Sequence, residues 1–415
     1  MRDQWAVRVT WEFIIDDRII LRSGFSAPGL PAAGDTYDSM PRIECRDAGV
    51  IAQIEARLSR HMGVDPALSS CHPNAHETFM RAVLTIAHGD RDQLQFHHDL
   101  PDPQPAAGEV LVRIAATALN FHDIFTRRGM PGIRIPLPVI VGSDIAGEIC
   151  ELGEAVTGWN VGDRVLVDPV YRDGKRFGMI GEVADGGRAE YLAVSAAQLI
   201  RVPDGVSLEH AATLPLAYGT AYRMLVVRGQ VTAGDRVLVL GASGGVGVAC
   251  VQLAKHLGAE VIACASSDEK LDRLRELQAD HVVNYSHGSF VDAVRKVYGK
   301  PRVTGGGGVT VAVNFTGGDT WTDTQRCVGL NGRILTCGAT AGYNVATDVR
   351  YLWTYEHTVI GSNGWLPEDL TALLQLIEQK RLTPVIDKIL PLEQAAEAER
   401  LLEDRQVFGK VLLKP

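Results

Sequence analysis

A glycine-rich turn is the segment of this sequence whose spacing predicts chemistry most directly. The turn, Gly241-Ala-Ser-Gly-Gly-Val-Gly247, follows an apolar run at 237–240 and precedes a stretch with helical periodicity. Glycines there leave room for a pyrophosphate, and the N–H groups and dipole at the helix start attract its charge. A strand, a glycine turn and a helix in this order predict a dinucleotide-binding site.

The residues after the second predicted strand indicate which nicotinamide cofactor is used. Enzymes that use NADH place an Asp or Glu there, which binds the ribose hydroxyls. In this sequence Ala265 stands at that position, and Ser266, Ser267 and Lys270 follow it. Two hydroxyls and an ammonium can bind a 2′-phosphate by charge-assisted hydrogen bonds, although Ser266 can also cap the next helix. We therefore expect NADPH rather than NADH.

Strand-like and helix-like segments alternate from about residue 235 onward. The six predicted strands cover residues 237–240, 260–263, 281–284, 309–314, 333–337 and 357–360. Six strands that alternate with five helices predict a doubly wound parallel sheet, and hence an α/β fold.

The segments before and after this sheet in the sequence have a different pattern of apolar residues, Gly and Pro. From residue 80 to about 205, short alternating strands are broken by Gly and Pro, which predicts a compact β-rich domain. After residue 364 a helix, a strand at 384–390, another helix and a strand at 409–413 follow, and we expect this tail to return to the β-rich domain. The predicted boundaries are therefore 80–205 and 363–415 for the β-rich domain and 206–362 for the nucleotide-binding domain.

Residues 1–79 contain no motif that we can assign, so their fold and role stay open. Strand-like stretches cover 5–15 and 18–25, and a helical stretch lies near 48–61. His61, Cys71, His72 and His76 match no metal-ligand spacing and are interpreted as unrelated surface residues.

Composition and charge exclude several classes of protein. The length of 415 residues corresponds to about two or three domains. The net charge of -9 disfavours nucleic acid and anionic membranes as partners. Seven scattered cysteines fit neither a disulfide framework nor a zinc ribbon, and the acidic start of the chain does not fit a signal peptide. A cytoplasmic location is expected.

Taken together, the motifs resemble the medium-chain dehydrogenase/reductase superfamily, in its zinc-free quinone oxidoreductase and enoyl reductase branch. The resemblance covers residues 80–415. Besides the glycine turn, it is carried by Ala118-Leu-Asn120-Phe-His-Asp123, Val141-Gly-Ser-Asp-Ile-Ala-Gly147, Gly162-Asp-Arg-Val165, Gly187-Arg-Ala-Glu-Tyr191, Ala212-Thr-Leu-Pro-Leu-Ala-Tyr-Gly-Thr220, Gly317-Gly-Asp-Thr-Trp321 and Phe408-Gly-Lys410. The family implies a GroES-like catalytic domain, an inserted Rossmann domain, and a homodimer or homotetramer.

The zinc ligands of the superfamily's alcohol dehydrogenases have no counterparts in this sequence. Asn120 stands at the position of the first Cys ligand, and Ser143-Asp144 at that of the His-Glu pair. Neither a Cys nor a His occurs at 216–220, and the segment 165–193 lacks the four cysteines of a structural zinc lobe. We therefore predict no metal, and we interpret His122 as a loop residue in a polar network.

The family's residue roles carry over to matching positions. Asn120 is expected near the nicotinamide and the acceptor, with Asp123 ordering their loop. The remaining expected cofactor contacts are Thr220 at the carboxamide; Gly244, Gly245 and Val246 at the pyrophosphate; Ser266, Ser267, Lys270 and Tyr285 at the 2′-phosphate; Phe315, Gly338 and Thr340 at the nicotinamide face; and Lys410 nearby.

These roles imply hydride transfer from NADPH to a small electrophilic acceptor. An enone, enoyl thioester or quinone carries its own electron sink and needs no metal. Enoyl reductases of the superfamily can use a tyrosine as proton donor where this chain has Phe125, so Tyr171, Tyr218 or water would have to serve, which favours quinone reduction. The alternatives are an alcohol dehydrogenase and a non-catalytic NADPH-binding sensor or scaffold.

Overall fold

The computed structural model of the protein describes residues 9–14, 18–23, 78–130, 132–174 and 177–415. It contains two compact units, Met1–His76 and Glu77–Pro415. The first unit contains an antiparallel pair of strands, β1 (Val9–Ile14) and β2 (Arg18–Ser23). The predicted helix near 48–61, and the His and Cys residues at 61, 71, 72 and 76, lie outside the described residues.

The β-rich part of the second unit draws its strands from both ends of that unit. They are β3 (Phe79–Thr85), β4 (Leu94–Pro101), β5 (Glu109–Ala118), β6 (Val139–Ile140), β7 (Asp144–Leu152), β8 (Arg164–Val167), β9 (Tyr191–Ser195), β10 (Leu199–Arg201), β17 (Ile386–Pro391) and β18 (Lys410–Lys414). One sheet has the order β10-β8-β7-β5-β18-β17, with β9 also on β5, and another has the order β4-β3-β6. The last strand of the chain thus lies between β5 and β17.

The predicted doubly wound sheet is confirmed. Its strands are β11 (Arg236–Val239), β12 (Glu260–Ala265), β13 (His281–Asn284), β14 (Val309–Val313), β15 (Val328–Thr336) and β16 (Thr358–Gly361). All neighbours are parallel, in the order β13-β12-β11-β14-β15-β16. The apolar runs of β11 and β14 are buried on both faces because helices cover the sheet on each side.

The helices connect these strands and pack on them. The α-helices of the described residues are α1 (Phe121–Arg128), α2 (Leu208–Ala212), α3 (Thr220–Tyr222), α4 (Gly245–His256), α5 (Asp268–Glu276), α6 (Phe290–Tyr298), α7 (Thr320–Gln325), α8 (Val349–Thr354), α9 (Pro367–Glu378) and α10 (Ala395–Glu403). Short 3-10 helices cover Arg91–Gln93, Ala196–Gln198 and Leu392–Gln394, and π-helical turns cover Leu214–Gly219 and Arg223–Arg228. Within the described residues, no helix is both long and apolar enough to cross a bilayer.

One hydrophobic core joins the two parts of the second unit. It contains Ala116 of β5, Leu412 of β18, Tyr218 of the helical stretch 208–228, and Val237 of β11, all essentially inaccessible to solvent. The β-rich part and the doubly wound sheet are therefore packed against each other through shared apolar side chains. The boundaries predicted at 205/206 and 362/363 stay predictions.

Candidate active site

All of the predicted cofactor residues except Thr220 and Lys410 follow the carboxyl ends of five neighbouring parallel strands. In spatial order they are Tyr285 after β13; Ser266, Ser267 and Lys270 after β12; Gly244, Gly245 and Val246 after β11; Phe315 after β14; and Gly338 and Thr340 after β15. Carboxyl ends of parallel strands meet at one edge of a sheet, so the fold brings these residues together. The strand order reverses between β11 and β14, which is where dinucleotides bind in such sheets.

The glycines of the turn serve different purposes. Gly241 has a φ of +64°, which favours glycine, and a Cβ on Gly247 would lie 2.2 Å from the Gly241 oxygen, so both are needed for the turn itself. A Cβ on Gly244 would meet nothing nearer than 3.8 Å. Gly244 is exposed at the N-cap of α4. Its missing side chain therefore leaves open space beside the helix start, as binding of a pyrophosphate requires.

The opposite side of the turn faces the β-rich domain. A Cβ on Gly245 would lie 3.0 Å from Lys410 Cδ and 3.3 Å from Ala217 Cβ. A backbone hydrogen bond also joins the turn to the segment before Lys410, because the N–H of Gly409 donates to Ser243 O at 3.0 Å. Lys410 thus lies directly beneath the predicted pyrophosphate site. Thr220, in α3, lies half-buried shortly after Ala217 in the same helical stretch.

The residues predicted at the 2′-phosphate lie after β12 and β13. The structure corrects the helix cap: Ser267, rather than Ser266, is the N-cap of α5, and its hydroxyl accepts from Lys270 N at 3.4 Å. Lys270 Nζ donates to the backbone oxygen of Arg405 at 2.5 Å. Burial lowers the pKa of Lys270. Tyr285 is 40% exposed at the end of β13.

On the nicotinamide side, Phe315 is half-buried and its ring edge lies near the glycine turn. A Cβ on Gly241 would meet Phe315 Cε2 at 3.4 Å. Thr340 is exposed, and its backbone N–H donates to Phe315 O at 3.1 Å. Gly338 is also exposed, and a Cβ there would meet nothing within 4 Å.

A buried ion pair holds Asn120 in place. Lys410 Nζ donates to Asn120 Oδ1 at 2.6 Å, to Leu119 O at 2.8 Å and to Asp144 Oδ2 at 3.0 Å. Asn120 Nδ2 donates to the same Asp144 oxygen at 2.9 Å, and the other Asp144 oxygen accepts from Leu216 N at 2.8 Å. The side chains of Lys410 and Asp144 are 2% and 0% exposed. Both ends of the Asn120 amide are therefore fixed.

This cluster does not fit zinc. A zinc site needs about three Cys, His or carboxylate ligands, whereas this one has one carboxylate and an amide oxygen, both bonded to an ammonium. Among the described residues, no group of three His, Cys, Asp or Glu is placed to hold a metal ion. The cation at this position is Lys410 itself.

Asp123 belongs to a chain of buried charges behind the Asn120 loop. Asp123 Oδ2 accepts from Asn120 N at 3.0 Å and lies 3.3 Å from Arg188 Nη2. Glu399 of α10 bonds Arg188 and Arg127 with one oxygen each, both at 2.6 Å. All four of these ionic side chains are at most 1% exposed. Burial raises the pKa of Asp123, against the opposing effect of Arg188.

The two tyrosines considered as proton donors lie in different surroundings. Tyr218 is fully buried; its hydroxyl donates to Gln252 Oε1 at 2.8 Å and accepts from Val385 N at 2.9 Å. Burial raises its pKa. Tyr171 is half-buried against the apolar core of the β-rich domain. Phe125 is 40% exposed and has no proton to give.

Four charged residues near the site were not identified from the sequence. Arg188 lies within the predicted Gly187–Tyr191 motif, and Glu182 lies five residues before it, but neither position alone signals a role. Glu399 occurs in a helix rich in Ala and Glu, where it resembles a solvated charge. Asp144 was noted only as a replaced zinc ligand. No local pattern identifies a buried ion pair when its partners are distant in sequence.

Two protein families match this chain. The alcohol dehydrogenase GroES-like domain matches residues 106–204, and the zinc-binding dehydrogenase family matches residues 245–379. These two ranges correspond to the β-rich part and the doubly wound sheet.

Relatives of known name cover most of the second unit. Acryloyl-coenzyme A reductase of Sulfurisphaera tokodaii is 31% identical over 76% of this chain and 95% of its own length. Quinone oxidoreductase-like protein 2 of Bos taurus is 32% identical over 74% of this chain and 84% of its own length.

Solved structures match the same region. An NAD-dependent alcohol dehydrogenase superposes with a TM-score of 0.75 at 37% identity, over 81% of this chain and 99% of that one. The 2-octenoyl-CoA carboxylase reductase CinF, in complex with NADP and 2-octenoyl-CoA, superposes with a TM-score of 0.72 at 29% identity, over 86% and 92% of the two chains.

Proposed function

Because the chain belongs to the medium-chain dehydrogenase/reductase superfamily, in its zinc-free quinone oxidoreductase and enoyl reductase branch, we propose that it transfers a hydride from NADPH to a quinone or an α,β-unsaturated carbonyl compound. The observation that carries this proposal is the Lys410 ammonium bonded to Asn120 and Asp144. This cluster offers no Lewis acid to activate an alcohol. An acceptor with its own electron sink needs none.

The chain's own residues account for binding and orientation. NADPH, when bound, supplies the hydride. The open space at Gly244 and the start of α4 would take the pyrophosphate, and Phe315 would limit the position of the nicotinamide. Asn120, fixed at both ends of its amide, would contact the acceptor from an unchanging direction, so little reorganisation accompanies the reaction.

The choice of NADPH over NADH rests on the end of β12. No carboxylate follows Ala265 directly, and two hydroxyls and Lys270 lie there instead. The NADP bound to CinF, which is 29% identical, supports the same choice. The NAD-dependent alcohol dehydrogenase at 37% identity supports the opposite one. We expect kcat/KM to be higher with NADPH, measured at a fixed acceptor concentration; a higher value with NADH would refute this part.

An acceptor panel tests the reaction. Full-length protein with NADPH should reduce a quinone, a 2-enone or acryloyl-coenzyme A, with rates unchanged by a metal chelator. Oxidation of primary alcohols with NAD⁺, abolished by the chelator, would favour the alcohol dehydrogenase alternative, which the 37% identity to such an enzyme keeps as the second candidate. NADPH binding in a fluorescence titration without any turnover would favour a sensor or scaffold.

We also propose that the protein is a homodimer or homotetramer. β16 is the last strand of its sheet, and Val359 on that strand is 44% exposed. Trp353, in α8 just before it, is 66% exposed. An apolar edge strand of this kind pairs readily with a second copy. Light scattering that gives a monomer mass at micromolar concentration would refute the proposal. A cytoplasmic location stays a prediction from the sequence.

A further inference from the structure

Reduction of a carbon–carbon double bond requires a proton as well as a hydride, and the source of that proton is open. Phe125 cannot supply it. Tyr218 is fully buried, and its hydroxyl already donates to Gln252. Its raised pKa also opposes proton release. Besides Tyr171 and water, the groups near Asn120 are therefore the remaining candidates for the donor.

His122, interpreted from the sequence as a loop residue, is instead the second residue of α1, and Asn120 is the N-cap of the same helix. Its Nε2 atom is buried, has no hydrogen-bond partner among the described residues, and lies 3.7 Å from Glu182 Oε1. The side chain as a whole is 24% exposed. The accessible part of the ring is therefore the part away from Glu182. One ring nitrogen faces a carboxylate, and the rest of the ring can reach solvent or a ligand.

The carboxylate of Glu182 is well placed to stabilise a cationic imidazole. Its side chain is 3% exposed, and Oε2 accepts from Met179 N at 3.1 Å, which fixes its orientation. Among the described residues, no Lys or Arg forms an ion pair with Glu182. A buried carboxylate needs a positive partner, and His122 is the group in that position.

The other charges near His122 are already paired. Asp123, the next residue, lies 3.3 Å from Arg188 Nη2 and accepts from Asn120 N. Arg188 in turn bonds Glu399. Among the described residues, Glu182 and the Asp123–Arg188 pair are thus charged groups close to the imidazole. This arrangement resembles a general acid held by a carboxylate.

We infer that His122 donates the proton that completes reduction of an α,β-unsaturated carbonyl acceptor, and that Glu182 is its positioning residue. The inference rests on the proposed function. The β-carbon of the acceptor receives the hydride, and the double-bond electrons move to form an enolate. The N–H bond on the accessible nitrogen of imidazolium His122 then breaks, and a C–H bond forms at the α-carbon. The neutral imidazole regains a proton from water, so one NADPH and one proton are consumed per turnover.

The test compares two acceptors in the same variants. Reduced quinones take their protons from solvent, so His122→Gln should leave quinone reduction within about twofold of wild type. Reduction of a 2-enone should fall by about 10² to 10⁴-fold in kcat, the usual contribution of a general acid. His98→Gln, at an exposed position of β4, is the matched control and should keep both rates. Tyr171→Phe tests the competing donor. NADPH affinity and melting temperature should be unchanged in each variant.

Glu182→Gln tests the positioning role through kcat and KM. Without the carboxylate that orients the imidazole, kcat for the enone should fall in this variant, while KM for the enone and both constants for the quinone stay unchanged. A merely structural role would change both acceptors alike.

Three results would decide against the inference. Equal losses for both acceptors, or an unchanged enone rate in His122→Gln, would overturn the proton donor and leave the proposed function intact. Loss of enone reduction in Tyr171→Phe alone would assign the donor to Tyr171. Wild-type protein that reduces neither acceptor would overturn the proposed function and this inference together.

Discussion

Replacement of Lys410 by Met is the perturbation whose outcome the structure defines most fully. The substitution removes a buried cation with three oxygen partners and keeps most of the apolar volume. Asp144, 0% exposed, then retains only the neutral donors Asn120 Nδ2 and Leu216 N. Loss of one partner of a buried ion pair costs about 3–5 kcal/mol. The equilibrium constant for unfolding should therefore rise by a factor of about 10² to 10⁴.

The assay is urea unfolding of the full-length protein, followed by tryptophan fluorescence, in which Trp321 and Trp365 are buried reporters. Lys410→Met/Asp144→Asn should recover most of the lost free energy of unfolding, because no buried charge is left unpaired. Exposed Lys388 is the matched control, and Lys388→Met should change the free energy by less than about 0.5 kcal/mol.

The reductase rate should respond differently from stability. In both the single and the double variant, Asn120 Oδ1 loses its donor, so the amide can rotate and kcat should stay low even where stability returns. Two results would refute this reasoning. They are a loss of less than about 1 kcal/mol in the free energy of unfolding of Lys410→Met, and a double variant that is no more stable than the single one. Either would show that the attraction between Lys410 and Asp144 does not stabilise this cluster.

Three further predictions follow from the same geometry. Gly244→Ala should keep the melting temperature but weaken NADPH binding in a fluorescence titration, whereas Gly247→Ala, whose Cβ would lie 2.2 Å from a backbone oxygen, should lower the melting temperature. Glu399→Gln leaves two buried arginines short of charge and should lower the free energy of unfolding by about 3–5 kcal/mol in urea. Burial lowers the pKa of His357, so the unfolded chain takes up a proton at this residue before the folded chain does as pH falls below about 6.5, and the free energy of unfolding decreases. In His357→Gln, the difference in the free energy of unfolding between pH 7.5 and pH 5.5 should therefore be smaller than in wild type.

Each of these has a contrary outcome. A melting temperature of Gly247→Ala equal to that of wild type would show that the turn tolerates a Cβ at position 247. An unchanged unfolding midpoint in Glu399→Gln would show that the buried charges are hydrated in solution. A pH dependence in His357→Gln equal to that of wild type would assign the acid sensitivity to other groups.

The sequence predicted the doubly wound sheet closely. The apolar run at 237–240, the glycine turn and the helix after it depend on contacts within a few residues, and the periodicity of such segments is visible in the chain itself. The strand at 409–413 was also expected from its pattern. Most of the predicted cofactor residues lie at the ends of these strands, so their position at one edge of the sheet follows from the predicted topology.

The helix cap after β12 shows where local reasoning was insufficient. The sequence Ser266-Ser267 offers two hydroxyls in adjacent positions, and both can cap. The backbone of Ser267 has the extended conformation of an N-cap, with φ -143° and ψ 153°. β12 ends at Ala265, which pairs with Asn284 of β13, and Ser266 separates the strand from the cap at Ser267.

The buried charges were decided by tertiary structure alone. Lys410 reaches Asp144 and Asn120 across 266 and 290 residues, and Arg188 reaches Glu399 across 211. His122 of α1 and Glu182, 60 positions apart in the sequence, are likewise brought together. In the sequence each of these residues resembles an ordinary polar surface residue. A charged residue that is buried against a distant partner has the same local sequence pattern as one that is exposed to solvent. The sequence alone determined the strands, the turn and the edge of the sheet where a cofactor would bind, since these depend on local patterns. The packing of β18 between β5 and β17, which only the tertiary structure shows, placed the Lys410 ammonium beneath that edge.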